Sequence, residues 1–127
     1  MKVVIAGSRS INLNIDDIQK LVESSGYQIT ELVSGTAVGI DKSAELWAIS
    51  KRIPIKQFYP DWKRFGKVAG IFRNEAMTQY CDAVIVYWTG DKNISPGSYN
   101  MIKQAKKYNK PLYIVDISEK NKIDDYF

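Results

Sequence analysis

Arg73 lies among Ala69, Ile71 and Phe72, just after Gly70 in an apolar helical run, where a guanidinium is partly buried and needs an anionic partner. It belongs to the segment Pro60 to Met77, which sets Lys63, Arg64, Lys67 and Arg73 against Asp61 and Glu75, with Trp62, Phe65 and Phe72 interleaved. A flat aromatic beside planar guanidinium groups suits a base stacked over a ribose phosphate. The same residues also fit a surface segment in which Lys63 and Lys67 are solvated while Trp62 and Phe72 pack into the core. Three loops carry a second signal: Gly7-Ser8-Arg9, then Ser34-Gly35-Thr36-Ala37-Val38-Gly39-Ile40-Asp41, then Trp88-Thr89-Gly90 leading to Ser95-Pro96-Gly97-Ser98. Glycines and small hydroxyls allow backbone amides to reach a phosphate or a ribose. Any one loop, Gly35 and Gly39 included, would equally serve as a strand-to-helix turn, but three of shared composition favour a ligand pocket.

The elements that must position these groups alternate along the chain. Apolar runs predict strands at Lys2 to Ala6, Ile29 to Val33, Ile55 to Tyr59, Ala83 to Tyr87 and Leu112 to Val115. Between them helices are predicted from a cap at Asn14 to before Gly26, from Ile40 to Arg52 with Pro54 as its stop, from Val68 to Tyr80, and from Pro96 to Tyr108. Such alternation builds a parallel sheet with helices on both faces. The expected fold class is therefore α/β, a single Rossmann-like domain with about five parallel strands. Ligands of such sheets collect at the carboxyl ends of the strands, and each of the three loops follows a strand. The 127 residues suffice for one such domain and not for two; we expect it over residues 1–117, with a polar tail over 118–127.

Gly7, Ser8, Gly35, Thr36 and Gly97 are accordingly expected to bring amides to phosphates, Ser34 and Ser98 to add hydroxyls, and Arg9 and Arg73 to neutralise charge. Trp62 or Trp88 would stack on a base. Gly39, Asp41, Asn74, Gly90 and Pro96 complete the expected binding set. For chemistry the candidates are Arg73, Glu75 and Asp41, although Asp41 also suits a helix N-terminus, Glu75 a solvent face, and Asp82 the turn into a strand.

Composition narrows the classes. Eighteen Lys and Arg against fourteen Asp and Glu give +4, which welcomes a phosphorylated ligand without the dense basic block of a dedicated nucleic-acid binder. Lys103, Lys106, Lys107 and Lys110, partly offset by Asp124-Asp125, read as a solvated face because no aromatics interleave them. There is no histidine and one cysteine, Cys81, so Ser-His and Cys-His catalysis, an intramolecular disulfide and a cysteine zinc cluster are excluded. Cys81 reads as a small core residue. No metal and no cofactor is expected. The first strand begins without a leader and no apolar run approaches eighteen residues, so the expected setting is the cytoplasm, with no membrane partner. Neither Gly-x-x-x-x-Gly-Lys-Ser/Thr nor Gly-x-Gly-x-x-Gly occurs, which excludes a P-loop enzyme and an ordinary Rossmann dehydrogenase.

The succession AGSR, SGTAVGIDKSAELWA, PDWKRFGKVAGIFRNEAM and DAVIVYW…SPGSYNMIKQA resembles the YspA/YpsA-type branch of the SLOG superfamily over residues 1–115. Its relatives include the DprA/Smf proteins and the Lonely Guy phosphoribohydrolases. The resemblance implies binding of a nucleotide-derived small molecule, ADP-ribose-like or cyclic, by a sensor or sequestering protein that forms a homodimer or higher homo-oligomer. Hydrolysis of a nucleoside monophosphate is the alternative it implies, and DprA-like nucleic-acid binding a further one. Arg73-Asn74-Glu75-Ala76-Met77 resembles the Arg-Lys-x-x-Met motif of the phosphoribohydrolases, so Arg73 inherits the arginine role. Gly97-Ser98-Tyr99-Asn100-Met101 resembles the end of their Pro-Gly-Gly-x-Gly-Thr-x-x-Glu motif, with Met101 where the glutamate stands. A thioether neither activates water nor stabilises an oxocarbenium-like centre, which argues against hydrolysis by the same mechanism.

Overall fold

Val3 to Ala6 are apolar at every position because both faces of their strand are covered. The structure is a computed structural model that describes residues 1–118. All of the expected tail except Ser118 lies outside the described residues, as do Asp124 and Asp125. Strand β1 (Lys2–Gly7) is central, flanked by β2 (Glu31–Ser34) and β4 (Ala83–Trp88), with β3 (Ile55–Gln57) and β5 (Leu112–Asp116) at the edges. The order β3-β2-β1-β4-β5 is parallel throughout, with Val3 paired to Leu32 on one side and Ala83 on the other. Val3 and Ile5 pack beneath α1 (Ile15–Ser25) and α2 (Ile40–Ser50), where Ile18, Ala44 and Trp47 are buried. Val4 and Ala6 face α4 (Ala69–Tyr80) and α5 (Pro96–Lys107), meeting Met77, Met101 and Ile102. This is the single Rossmann-like α/β domain expected from the sequence. Among the described residues no helix is long and apolar enough to cross a membrane.

The helix ends follow local chemistry. Asn14 Oδ1 accepts the Asp17 N–H at 2.8 Å and Gly26 closes α1 in the left-handed region at φ 76°. Three boundaries differ from the sequence reading by two residues, the others by one at most, and one helix was not predicted. Strand β2 begins at Glu31 rather than Ile29, because the Met1 amine donates to Gln28 O at 2.8 Å and Met1 O accepts from Thr30 N, which draws that stretch aside. Strand β3 stops at Gln57, short of Tyr59, as Phe58 turns inward against the Tyr80 ring. Helix α2 stops at Ser50, where Arg52 takes φ 58° and reverses the chain before Pro54 is reached. Ahead of α4, a short helix α3 (Trp62–Phe65) and a 3-10 turn over Gly66–Val68 stand where no helix was predicted; Asp61 Oδ1 caps α3 by accepting from Arg64 N at 3.1 Å.

Several side-chain expectations are also corrected. Trp62 and Phe72 are 52% and 47% exposed rather than in the core, Phe72 packing edge-on against Phe65 at the surface. Lys103, Lys106 and Lys107 are exposed, as a solvated face requires, but Lys110 is not fully so and aromatic rings lie beside the row. Lys110 lies beyond α5 and donates to Cys81 O, Lys107 pairs with Glu75 at 3.2 Å, and Lys103 and Lys107 sit over the rings of Tyr99 and Tyr108. Asp82 does more than cap a turn: its Oδ2 accepts the Lys2 N–H at 2.8 Å, tying the entrances of β1 and β4 together. Cys81 is buried, and burial pushes its thiol up to about 11.

Candidate functional site

Strand order reverses between β1 and β4, and connections diverging from that point leave a crevice above the carboxyl ends of the strands. It holds a cavity of about 630 Å³. Its floor is apolar, formed by Ala6 with Met77 and Met101, all three buried. Trp62, Ile71 and Ile94 form its rim and are 44% to 65% exposed. The polar groups enter from three directions.

Arg73 comes from α4. Its Nη1 donates to the Gly35 carbonyl, and its Nε donates to Asn74 Oδ1 at 3.0 Å. The partner of the half-buried guanidinium is thus a backbone carbonyl, not the anion expected from the sequence. Among the described residues Nη2 has no acceptor, and it approaches Gly70 on the cavity wall. Asn74 is held in turn, its Nδ2 donating to Gly97 O at 3.2 Å and Asn100 Oδ1 at 3.0 Å, so α4 fixes the start of α5.

Asp41 comes from the first turn of α2 and is 5% exposed. It is the one carboxylate among the described residues that line the cavity. Its Oδ2 accepts the Ala37 N–H at 3.2 Å, while Oδ1 has no donor among the described residues. Burial pushes its carboxyl up to about 6, against the opposing pull of the Ala37 N–H and of Arg73 and Arg9. Burial likewise lowers Arg73, and the Asp41 charge works against that fall. A Cβ on Gly35 would lie 2.9 Å from Asp41 Oδ2 and 3.0 Å from Arg73 Nη1, so only glycine lets both side chains settle over this turn.

The third direction is the N-terminus of α5. Pro96 occupies its first turn, and no side chain caps it. Ser95 sits at the cap position, but its Oγ lies 2.6 Å from Ser8 Oγ instead. Among the described residues the N–H groups of Gly97 and Ser98 have no acceptor, so the positive end of the helix opens on the cavity beside Arg9 and Ser98.

The cavity wall therefore brings together Gly7, Arg9, Asp41, Trp62, Arg73 and Asn74 with Pro96, Gly97 and Ser98. Other expected site residues do not reach it. Ser8 is buried, its Oγ accepting the Thr89 N–H at 3.0 Å, and Ser34 donates to the buried Glu45 at 2.7 Å. Gly35 lies beneath Arg73, and Thr36, at φ 65°, donates its hydroxyl to Gly35 O. Gly39 packs on the Ser8 and Arg9 backbone, and Gly90 on the Asp116 carboxylate. Trp88 is buried and stacks on Tyr99, which removes it as a platform for a base. Glu75 faces outward to Lys107. Conversely, Ser10, Ser95 and Asn100 line the cavity although the sequence reading gave none of them a binding role, Ser95 and Asn100 entering it only as members of the two motifs that contain them. Asn100 was signalled by its place one turn after Gly97, and Ser95 by its place before Pro96 at a helix start.

The arrangement can hold an anion between two arginines and a helix N-terminus, with an apolar or planar group at the rim. Among the described residues no three His, Cys, Asp or Glu side chains come together as metal ligands. Comparison with known proteins agrees with the fold. A family model described as the YspA, cpYpsA-related SLOG family matches residues 1–65. The chain is also similar to the solved structure of DNA processing protein A (DprA) from Streptococcus pneumoniae, with a TM-score of 0.68 and 21% identity over 89% of this chain and 49% of that one. The chain thus spans about half the length of that protein, and at this identity the likeness shows the fold alone. No curated protein matches it.

Proposed function

The chain belongs to the YspA, cpYpsA-related SLOG family, and from that premise we propose that it binds a nucleotide-derived small molecule in the crevice above β1 and β4. The observation that carries the reading is the convergence of the free Nη2 of Arg73, Arg9 and the uncapped start of α5 on one cavity. Phosphates lie at this cationic end, and the base lies against Trp62 at the rim. The protein acts as a sensor or a sequestering protein, releasing its ligand unchanged. Trp62, Ile71 and Ile94 are about half exposed in one chain, and a homodimer or higher homo-oligomer that covered them would close the cavity mouth.

A second reading is hydrolysis of the N-glycosidic bond of a nucleoside monophosphate. Met101 on the cavity floor offers no carboxylate, but Asp41 does. One experiment separates the two readings: thermal unfolding with AMP, ADP-ribose, NAD, and linear and cyclic dinucleotides, followed by chromatography of the recovered ligand. A ligand at a hundred times its Kd stabilises the native state by roughly 2.7 kcal/mol, which raises Tm by several degrees in a domain of this size. We expect one of these nucleotides to do so and to be recovered intact. Recovery of free base would favour the hydrolase, and no shift with any of them would overturn the proposed ligand class.

A further inference from the structure

Asp41 is out of place in a simple anion site. Its side chain is buried on the wall of a cavity whose other charged groups, Arg9, Lys67 and Arg73, are all cations. A phosphate contributes only acceptors at neutral pH, so a carboxylate beside it repels it unless a hydroxyl or amine of the ligand lies between. The carboxylate is firmly held. Oδ2 is fixed by the Ala37 N–H at 3.2 Å and lies over Gly35, which Arg73 also covers. Oδ1, in contrast, has no donor among the described residues and belongs to a side chain that lines the cavity. An acceptor in that state is open to a donor that enters the cavity.

The position says which donor. Asp41 adjoins the arginines, at the end of the cavity where phosphates are held. Trp62, the platform for a base, is at the rim and 52% exposed. The part of a nucleotide that is joined directly to its phosphate and carries O–H donors is the sugar. The exocyclic amine of a base at the rim lies on the far side of that sugar.

We propose that Asp41 Oδ1 accepts hydrogen bonds from the ribose hydroxyls of the ligand, so that the cavity selects ribonucleotides over deoxyribonucleotides. This rests on the reading of the cavity as a nucleotide site and narrows it to ribose-bearing ligands. Buried polar groups give such discrimination because an analogue lacking the hydroxyl leaves the carboxylate desolvated and unpaired.

The test is calorimetric titration of the wild-type protein at pH 8, where Asp41 is ionised, with AMP, 2′-deoxy-AMP and 3′-deoxy-AMP, repeated with Asp41→Asn and Asp41→Ala. The expected result is that at least one deoxy analogue binds the wild type about 10- to 100-fold more weakly than AMP. In Asp41→Ala the ratio falls to near one, with AMP affected more than its analogue. Equal affinities of the wild type for all three overturn this inference alone. If AMP does not bind, the same comparison is made with whichever nucleotide of the thermal-unfolding series binds and with its deoxy analogues, and absence of binding by every nucleotide of that series overturns the nucleotide reading of the cavity and this inference with it. The wild-type comparison decides the matter even where a substituted protein fails to fold.

Discussion

Arg73→Ala is expected to weaken binding of ADP-ribose about a hundredfold while leaving the fold in place. The magnitude follows from what is lost: charge-assisted hydrogen bonds from a half-buried guanidinium to a phosphate contribute on the order of 3 kcal/mol, the equivalent of two decades in Kd. The fold survives because Arg73 is peripheral to both apolar layers. Among the described residues its one long-range hydrogen bond is to Gly35 O, and the core beneath α4 is formed by Met77 and its neighbours on β1, β4 and α5. Loss of that bond costs roughly 1 kcal/mol, which a urea titration would register without a change of circular dichroism spectrum. Arg73→Lys keeps the charge but loses the fork that reaches Gly35 and the cavity together, so it should bind with intermediate affinity. Unchanged affinity of Arg73→Ala in calorimetry would remove this residue from the site.

Asp41→Asn is expected to stabilise the protein at pH 8 and to leave it nearly unchanged near pH 3. In the native state burial pushes the Asp41 carboxyl up to about 6, whereas in the unfolded chain it titrates near the ordinary 3.8. The native state thus holds its proton more tightly. Raising the pH from 3 through 6 deprotonates the unfolded chain first and progressively destabilises the fold, by an amount on the order of 3 kcal/mol above pH 6. Below both values the carboxyl is neutral in either state and the effect vanishes. The charges acting on it are Arg73 from α4 and Arg9 from the end of β1, which favour ionisation, and Glu45 one turn along α2, which opposes it. Asparagine keeps an acceptor for the Ala37 N–H and removes the charge. Urea midpoints of the two proteins from pH 3 to pH 8 should therefore diverge as pH rises, and parallel curves would contradict a buried ionisable Asp41. The ionised carboxylate lowers stability in the empty protein, as expected of a group placed for a ligand rather than for the fold.

The fold was legible because its signals are periodic. Continuous apolar runs marked the strands buried on both faces, and Asn14, Gly26 and Pro96 marked helix ends. The short helix α3 escaped because four residues, with Trp62 and Phe65 alone apolar, are too few to display a period, and only the cap at Asp61 announced it. Parallel topology alone put the glycine loops at one edge of the sheet. What a glycine there accommodates was not legible, since close approach of a ligand and close approach of the protein's own atoms leave the same residue type. Gly35 makes room for Asp41 and Arg73, Gly39 for the Ser8 and Arg9 backbone, and Gly90 for Asp116. The tryptophans show the same limit: Trp62 stands at the rim and Trp88 is buried under Tyr99, a difference set by which element turns them and not by their neighbours in sequence. Arg73 was readable because a cation in an apolar helical run demands a partner, although a carbonyl fills that place.

The central claim, that the crevice at β1 and β4 is a nucleotide site, is tested most directly by titrating the isotopically labelled protein with ADP-ribose and following its amide and arginine side-chain resonances. The expected result is saturable shifts concentrated at Gly97, Ser98, Asp41 and the Nε–H of Arg73. Resonances that stay fixed, or that move only around the smaller cleft of about 300 Å³ between Tyr27 and Trp47, would contradict it.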